Sequence, residues 1–121
     1  MEKKIIGEKG EDAAVNHLLK KGYELLARNW RYKKKEIDII MKKGNRLVIV
    51  EVKTRQYKSI ESPTDMIPRK KQRFLIEAAD AYVMSKNINL DVRFDLVFVY
   101  NNGEEKEINH IEDAFQPNLL F

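Results

Sequence analysis

The chain has no cysteine, three prolines, five glycines, two histidines and one tryptophan, and each scarcity narrows what it can be. Without cysteine there is no disulfide and no thiolate metal site, which suits a reducing compartment and makes the cytoplasm the default location. No low-complexity stretch, internal repeat or interdomain linker is present. His17 and His110 are far apart and lack a partner at metal-ligand spacing, so each reads as structural or exposed. No apolar run approaches a membrane span, and Met1-Glu-Lys-Lys4 followed by two apolar residues is no secretory signal. At 121 residues the chain is read as one domain over 1–121, with 116–121 as a short C-terminal tail.

Charge, by contrast, is abundant. Lys and Arg number 23 against 19 Asp and Glu, for a net charge of +4, a balance that favours polyanions without demanding them. Its distribution says more. Arg28, Arg31, Lys33, Lys34 and Lys35 precede Asp38; Lys42, Lys43 and Arg46 surround a turn; Arg55 and Lys58 follow Lys53; and Arg69-Lys-Lys-Gln-Arg73 comes next. A charge run is more often a solvated face. Here the basic clusters flank the acidic positions described next, as they should if phosphates are led to them. Arg31, Lys33, Lys34, Lys35, Arg55, Arg69, Lys70 and Gln72 are therefore the candidate nucleic-acid contacts, with DNA ahead of RNA.

The acids lie in strand-like sequence. Glu36-Ile-Asp-Ile-Ile-Met41 and Leu47-Val-Ile-Val-Glu-Val-Lys53 are β-branched and apolar around isolated charges, with Lys42-Lys-Gly-Asn45 between them, a hairpin signal. If Gly44-Asn45 turns, Lys43 pairs with Arg46 and Asp38 falls opposite Glu51. If Lys43-Gly44 turns, Glu36 faces Glu51 and Asp38 stays on the same sheet face. A three-residue loop would separate them. Glu51 and Lys53 share a face because side chains alternate along a strand. Opposed like charges destabilise a sheet unless something offsets them. Mg²⁺ or Mn²⁺ would do so, and Lys53 could then orient or deprotonate a water. The bland alternative is an exposed hairpin with surface salt bridges, but the apolar residues on both faces of Leu47 to Lys53 argue for a strand buried on both sides.

Around this hairpin the pattern gives αβββαββ. Gly7 to Lys21 is helical, with Ala14, Val15, Leu18 and Leu19 as its stripe and Gly22 as its stop. Glu11 lies with that stripe, either as a third site carboxylate or only as a favourable charge at the helix start. Gly7 and Gly10 would let the helix approach a sheet closely. Tyr23 to Tyr32 reads as a strand, Lys33 to Lys35 as a turn and Gln56 to Ile67 as a loop. A second helix follows from Pro68 to Lys86 on a Leu75, Ala78, Ala79 and Tyr82 stripe, with Gln72 slightly favoured as solvated. Val92 to Tyr100 is a central strand, Asn101 to Gly103 a turn, and Lys106 to Ile111 the last strand. Asp95 is expected to pair with a nearby Arg or Lys, and Trp30 to pack rather than stack on a base. The tail Pro117-Asn-Leu-Leu-Phe121 docks on the core or meets another subunit, which leaves a homodimer open.

Taken together, Gly7-Glu-Lys-Gly-Glu11, Asn29-Trp-Arg31, Glu36-Ile-Asp-Ile-Ile40, Val50-Glu-Val-Lys-Thr-Arg55 and Arg93-Phe-Asp-Leu-Val97 resemble the YraN-like bacterial family, placed in the restriction-endonuclease-like, or PD-(D/E)xK, superfamily. The resemblance runs from Gly7 to about Phe115. It implies a mixed sheet flanked by helices and a nuclease acting on DNA, with branched, resolvase-type substrates as one option. It further implies Asp38 and Glu51 as Mg²⁺ ligands, Lys53 beside the attacking water, Glu11 as the helix carboxylate of resolvase-like relatives, and a 5′-phosphate product. Two departures stand out. Lys35 occupies the place before Glu36 where the family usually has Gly, and no Tyr follows Gln72 at the spacing of exonuclease-like branches. A binding module without turnover and an interaction domain of a repair complex are the other readings.

Overall fold

The computed structural model describes residues 2–56, 67–102 and 105–117. Its elements are α1 (Glu2–Lys20), β1 (Glu24–Tyr32), β2 (Lys35–Lys43), β3 (Arg46–Gln56), α2 (Arg69–Lys86), β4 (Asp91–Asn102) and β5 (Glu105–Phe115), the α/β order read from periodicity. The strands form one sheet in the order β1-β2-β3-β4-β5. β3 and β4 run parallel, and the other neighbouring pairs are antiparallel. A parallel pair cannot be closed by a tight turn, so the chain between β3 and β4 has to cross over, and α2 lies on that path.

The two helices belong to opposite faces. Ala14, Val15 and Leu18 of α1 pack with Ile39, Met41, Val48, Val50, Val97 and Val99. Leu75, Ala78, Ala79 and Tyr82 of α2 pack with Ile37, Ile40, Leu47, Ile49, Phe94, Leu96 and Phe98. Along β3 the alternation is clean, with Leu47 and Ile49 toward α2 and Val48 and Val50 toward α1, all buried. Each such side chain contributes roughly 1.5–3 kcal/mol, so the central strand is anchored firmly on both sides of its charged positions.

Local signals set the boundaries. Gly22, at φ 88°, ends α1, and the Tyr23 amide donates to the Leu18 carbonyl at 3.1 Å. Asn87 closes α2 in the left-handed conformation. Gly44, at φ 59°, takes the first position of the two-residue β2–β3 turn, where a positive φ is required in a II′ hairpin. Two expected ends move. α1 begins at Glu2 rather than Gly7, since the Glu and Lys residues before Gly7 favour helix. β5 continues past Ile111 to Phe115, whose ring stacks on Phe94 at 4.8 Å. The expected loop at 56–67 and the tail fall largely outside the described residues.

Gly10 decides how closely α1 approaches β3, because a Cβ there would collide with the Thr54 hydroxyl. Gly10→Ala is expected to destabilise the wild-type chain despite alanine's better helix propensity. In a Thr54→Ala background the same change is expected to stabilise, with a coupling of about 1–3 kcal/mol, measured by urea denaturation of the four proteins.

Candidate functional site

The β2–β3 hairpin takes the register that places Lys43 against Arg46, and pairing continues to Ile39 against Val50. At the next step the backbone pairing stops, and the Asp38 carboxylate accepts a hydrogen bond from the Val52 amide at 2.8 Å. Asp38 therefore reaches β3 through its side chain. The face alternation also breaks here. Ile40 packs toward α2, Ile39 toward α1 and Ile37 toward α2 again, so β2 changes phase at Asp38. Asn29 is the matching irregularity in β1, at φ 51° between Arg28↔Ile39 and Trp30↔Ile37; Asn tolerates that left-handed conformation better than most residues.

Asp38 stands between two further carboxylates, Glu51 and Glu11, and acts on each. Glu51 is 4% exposed. Burial, then the Asp38 charge and the hydrogen bond to Asp38, raise its pKa from 4.5 to about 7. Glu11 is also held above the ordinary carboxylate range, first by burial and then by Asp38. Lys53 Nζ lies 3.5 Å and Lys71 Nζ 3.8 Å from Glu51 Oε2. Arg28 lies 3.5 Å from Glu11 and 2.9 Å from Asp12. Even so, Glu51 Oε1 and Glu11 Oε1 are buried without a hydrogen-bond partner.

Such unsatisfied anionic oxygens have the chemistry of ligands for a hard divalent cation. Among the described residues, however, no three Asp, Glu or His side chains close into a metal cage on their own. A cation held by Asp38 and Glu51 would take its remaining ligands from water or substrate oxygens.

The expected basic contacts separate into different environments. Arg31 pairs with Glu36 at 3.3 Å and Lys33 with Glu77 at 3.7 Å. The Arg55 guanidinium donates to the Thr54 carbonyl at 2.9 Å, while Arg69 and Lys70 stand exposed in the first turn of α2. Gln72 corrects the slight preference for a solvated side chain. It is partly buried, and its amide donates to the Ile67 carbonyl at 2.7 Å, holding the entry to α2.

Asp95 behaves as expected of a paired acid. It accepts from Arg93 Nε and Nη2, both at 2.8 Å, and from the Asp113 amide at 3.0 Å, and its Oδ2 lies 2.7 Å from His110 Nε2. Burial alone would raise its pKa, but these hydrogen bonds outweigh it and hold the carboxyl below its usual value. His110 is thereby structural, and Trp30 packs edge-on against Tyr82 at 5.1 Å.

Sequence reasoning passed over Lys71 and Asn29. Lys71 lies in line with Leu75, Ala78 and Tyr82 at helical spacing, which already pointed it at the sheet. The signal at Asn29 was an Asn inside a strand.

A family model described as uncharacterised protein family UPF0102 matches residues 10–99. The chain belongs to the UPF0102 family. This is the YraN family that the motifs resemble. The chain is 47% identical to a UPF0102 protein of Flavobacterium psychrophilum over 110 residues, covering 91% of this chain and 92% of that one. Over 114 residues it is 45% identical to a UPF0102 protein of Flavobacterium johnsoniae, covering 91% and 93%. A UPF0102 protein of Parabacteroides distasonis is 46% identical over 110 residues, covering 91% of each. The span matched by the UPF0102 model contains Glu11, Asp38, Glu51 and Lys53.

The raised Glu51 pKa has a definite sign. Between 4.5 and about 7 the folded chain retains a proton that the unfolded chain releases, so stability falls as pH rises through that window and stays lower above it. In the absence of divalent cations, Glu51→Gln is expected to stabilise the protein at pH 8 by about 3 kcal/mol and to change little at pH 4. Urea unfolding at the two pH values measures the difference.

Proposed function

We propose that this chain is a metal-dependent nuclease hydrolysing phosphodiester bonds of DNA, including branched or resolvase-type substrates, within the restriction-endonuclease-like superfamily. The observation that carries the proposal is the buried Glu51 beside Asp38, with one Glu51 oxygen left without a hydrogen bond. Two acids sharing a low-dielectric site oppose folding, and a protein that needed only a stable sheet would do better with apolar residues there. A divalent cation turns the same arrangement into an asset.

Asp38 and Glu51 would hold Mg²⁺ or Mn²⁺ together with water or substrate oxygens, and Glu11, on the α1 side of Asp38, would add negative charge nearby without closing the cage. Bound there, the cation would supply Lewis acidity at a phosphoryl oxygen and lower the pKa of a water. The protein's own contributions are positional. The Val52 amide fixes one oxygen of Asp38 at 2.8 Å. Lys53, two residues beyond Glu51 on the same strand face and 3.5 Å from it, orients the attacking water and offers a proton donor to the phosphoryl oxygens as charge develops. In-line attack forms a bond from the water oxygen to phosphorus and breaks the bond to the 3′ oxygen, leaving a 5′-phosphate. Arg69 and Lys70 are exposed cations that lead the strand in, and Arg31, Lys33, Lys34 and Lys35 do the same from the β1–β2 side. Among the described residues no helix is long and apolar enough to cross a membrane. A cytoplasmic enzyme, as a monomer or a homodimer, is the setting that suits a DNA substrate.

One observation favours a binding module without turnover: Lys53 and Lys71 already offset part of the Glu51 charge. Incubating branched, single-stranded and duplex DNA with Mg²⁺ or Mn²⁺ separates the two readings. Asp38→Ala and Glu51→Ala are each expected to reduce cleavage about a hundredfold or more. Either cation should also raise the wild-type Tm at pH 8 and leave that of Glu51→Ala nearly unchanged. Equal cleavage by all three proteins would defeat the assignment, and salt-sensitive binding without cleavage would establish the module.

A further inference from the structure

We infer that the groove between the β1–β2 turn and α2 seats an unpaired nucleobase, so that the DNA acted on carries single-stranded nucleotides beside the scissile phosphate. The inference rests on the nuclease reading and adds its substrate class. Lys33, Lys34, Lys35 and Phe74 line a groove of about 530 Å³, within the size range of small-ligand sites. Its walls are apolar although three of the four residues are lysines, so their carbon stems form the sides and Phe74 the floor.

Aromatic rings continue from that floor. Tyr32 lies 6.1 Å from Phe74, and Trp30 stacks on Tyr32 at 6.4 Å. Cations surround them. Lys35 Nζ is 5.7 Å and Lys71 Nζ 5.3 Å from the Phe74 ring centre, and Lys33 Nζ is 5.2 Å from that of Tyr32. Lys33 has a weak, exposed pairing with Glu77, whereas Lys34 and Lys35 make no ion pair among the described residues.

The groove is tied to the acids by one side chain. Lys71, which flanks Phe74, also reaches within 3.8 Å of Glu51 Oε2. A strand laid along the lysines would therefore have a phosphate at the acidic site when its neighbouring base lies on Phe74. Lys33, at φ 58°, takes the first position of the two-residue β1–β2 turn, which sets Lys33 and Lys34 at the tip of the hairpin beside α2. An intact duplex keeps its bases stacked inside and offers this apolar floor nothing. An unpaired base offers its π-face, and the lysine ammoniums meet the phosphates on either side.

The test uses a Glu51→Gln background, which removes turnover and the Glu51 charge. Binding of a forked DNA with single-stranded arms is compared with that of a blunt duplex of equal length, and 2-aminopurine in one arm reports stacking. The fork is expected to bind more tightly, with its fluorescence quenched. Phe74→Leu should weaken fork binding about tenfold, leave the blunt duplex unaffected and abolish the quench, whereas Phe74→Trp, which keeps an aromatic floor, should retain both. Fork preference and quenching unchanged in Phe74→Leu would overturn the groove while leaving the Asp38→Ala cleavage result intact. Competition by poly-glutamate as strong as that by single-stranded DNA would overturn it in favour of an acidic protein partner.

Discussion

The structure turns on one unfavourable contact, the placement of the Glu51 carboxyl in a packed interior next to Asp38. Burial and like charge both oppose ionisation there, and neither is fully relieved by Lys53 or Lys71. The rest of the fold makes the contact tolerable. β3 is pinned by Leu47, Ile49, Val48 and Val50 on its two faces, so the strand cannot rotate to release Glu51 to water. The arrangement is thus enforced by apolar packing, and the local electrostatics must accommodate it. Asp95 shows the other solution to a buried acid, with Arg93, His110 and the Asp113 amide meeting its oxygens. One carboxylate is completed by the protein and the other is not.

The break in strand phase gives the acidic site access to both faces of the sheet. Glu11 comes from the helix on the valine-rich face, while Glu51 contacts Lys71 from the opposite helix. Asp38 lies between them because β2 changes phase at that residue and its carboxylate replaces a backbone partner for Val52. A regular ladder through Asp38 and Asn29 would have kept the two layers apart. The irregularity is therefore part of how the charges are gathered, as bulges and twists commonly are beside functional sites.

Much of this was legible in the chain. Alternation and the Lys42-Lys-Gly-Asn45 segment put the observed register, with Lys43 against Arg46, among two alternatives, and the apolar residues around Glu51 announced its burial. The stripe carrying Ala14, Val15 and Leu18 indicated which side of α1 meets the sheet. What periodicity could not supply were the exceptions to itself. Asp38's exchange of a backbone pairing for a side-chain hydrogen bond depends on two neighbouring strands distorting together, and no single segment encodes that. Gln72 was misjudged because its partner is a carbonyl outside its own helix, at Ile67. Lys71 was readable, since its spacing from Leu75 placed it on the inward side, but a basic cluster invites treatment as a uniform surface.

The parallel pairing of β3 with β4 also bears on when the acidic site comes into being. β1, β2 and β3 are joined by tight turns, so their contacts are local and close quickly, whereas β4 can join only after the long α2 crossover has folded back. Until that late step Glu51 has neither the cover of α2 nor Lys71 beside it, and the burial that does most to raise its pKa is incomplete. A nascent chain emerging in sequence order would thus complete the meander first and acquire its buried charge last, when the packing that can sustain it is already in place.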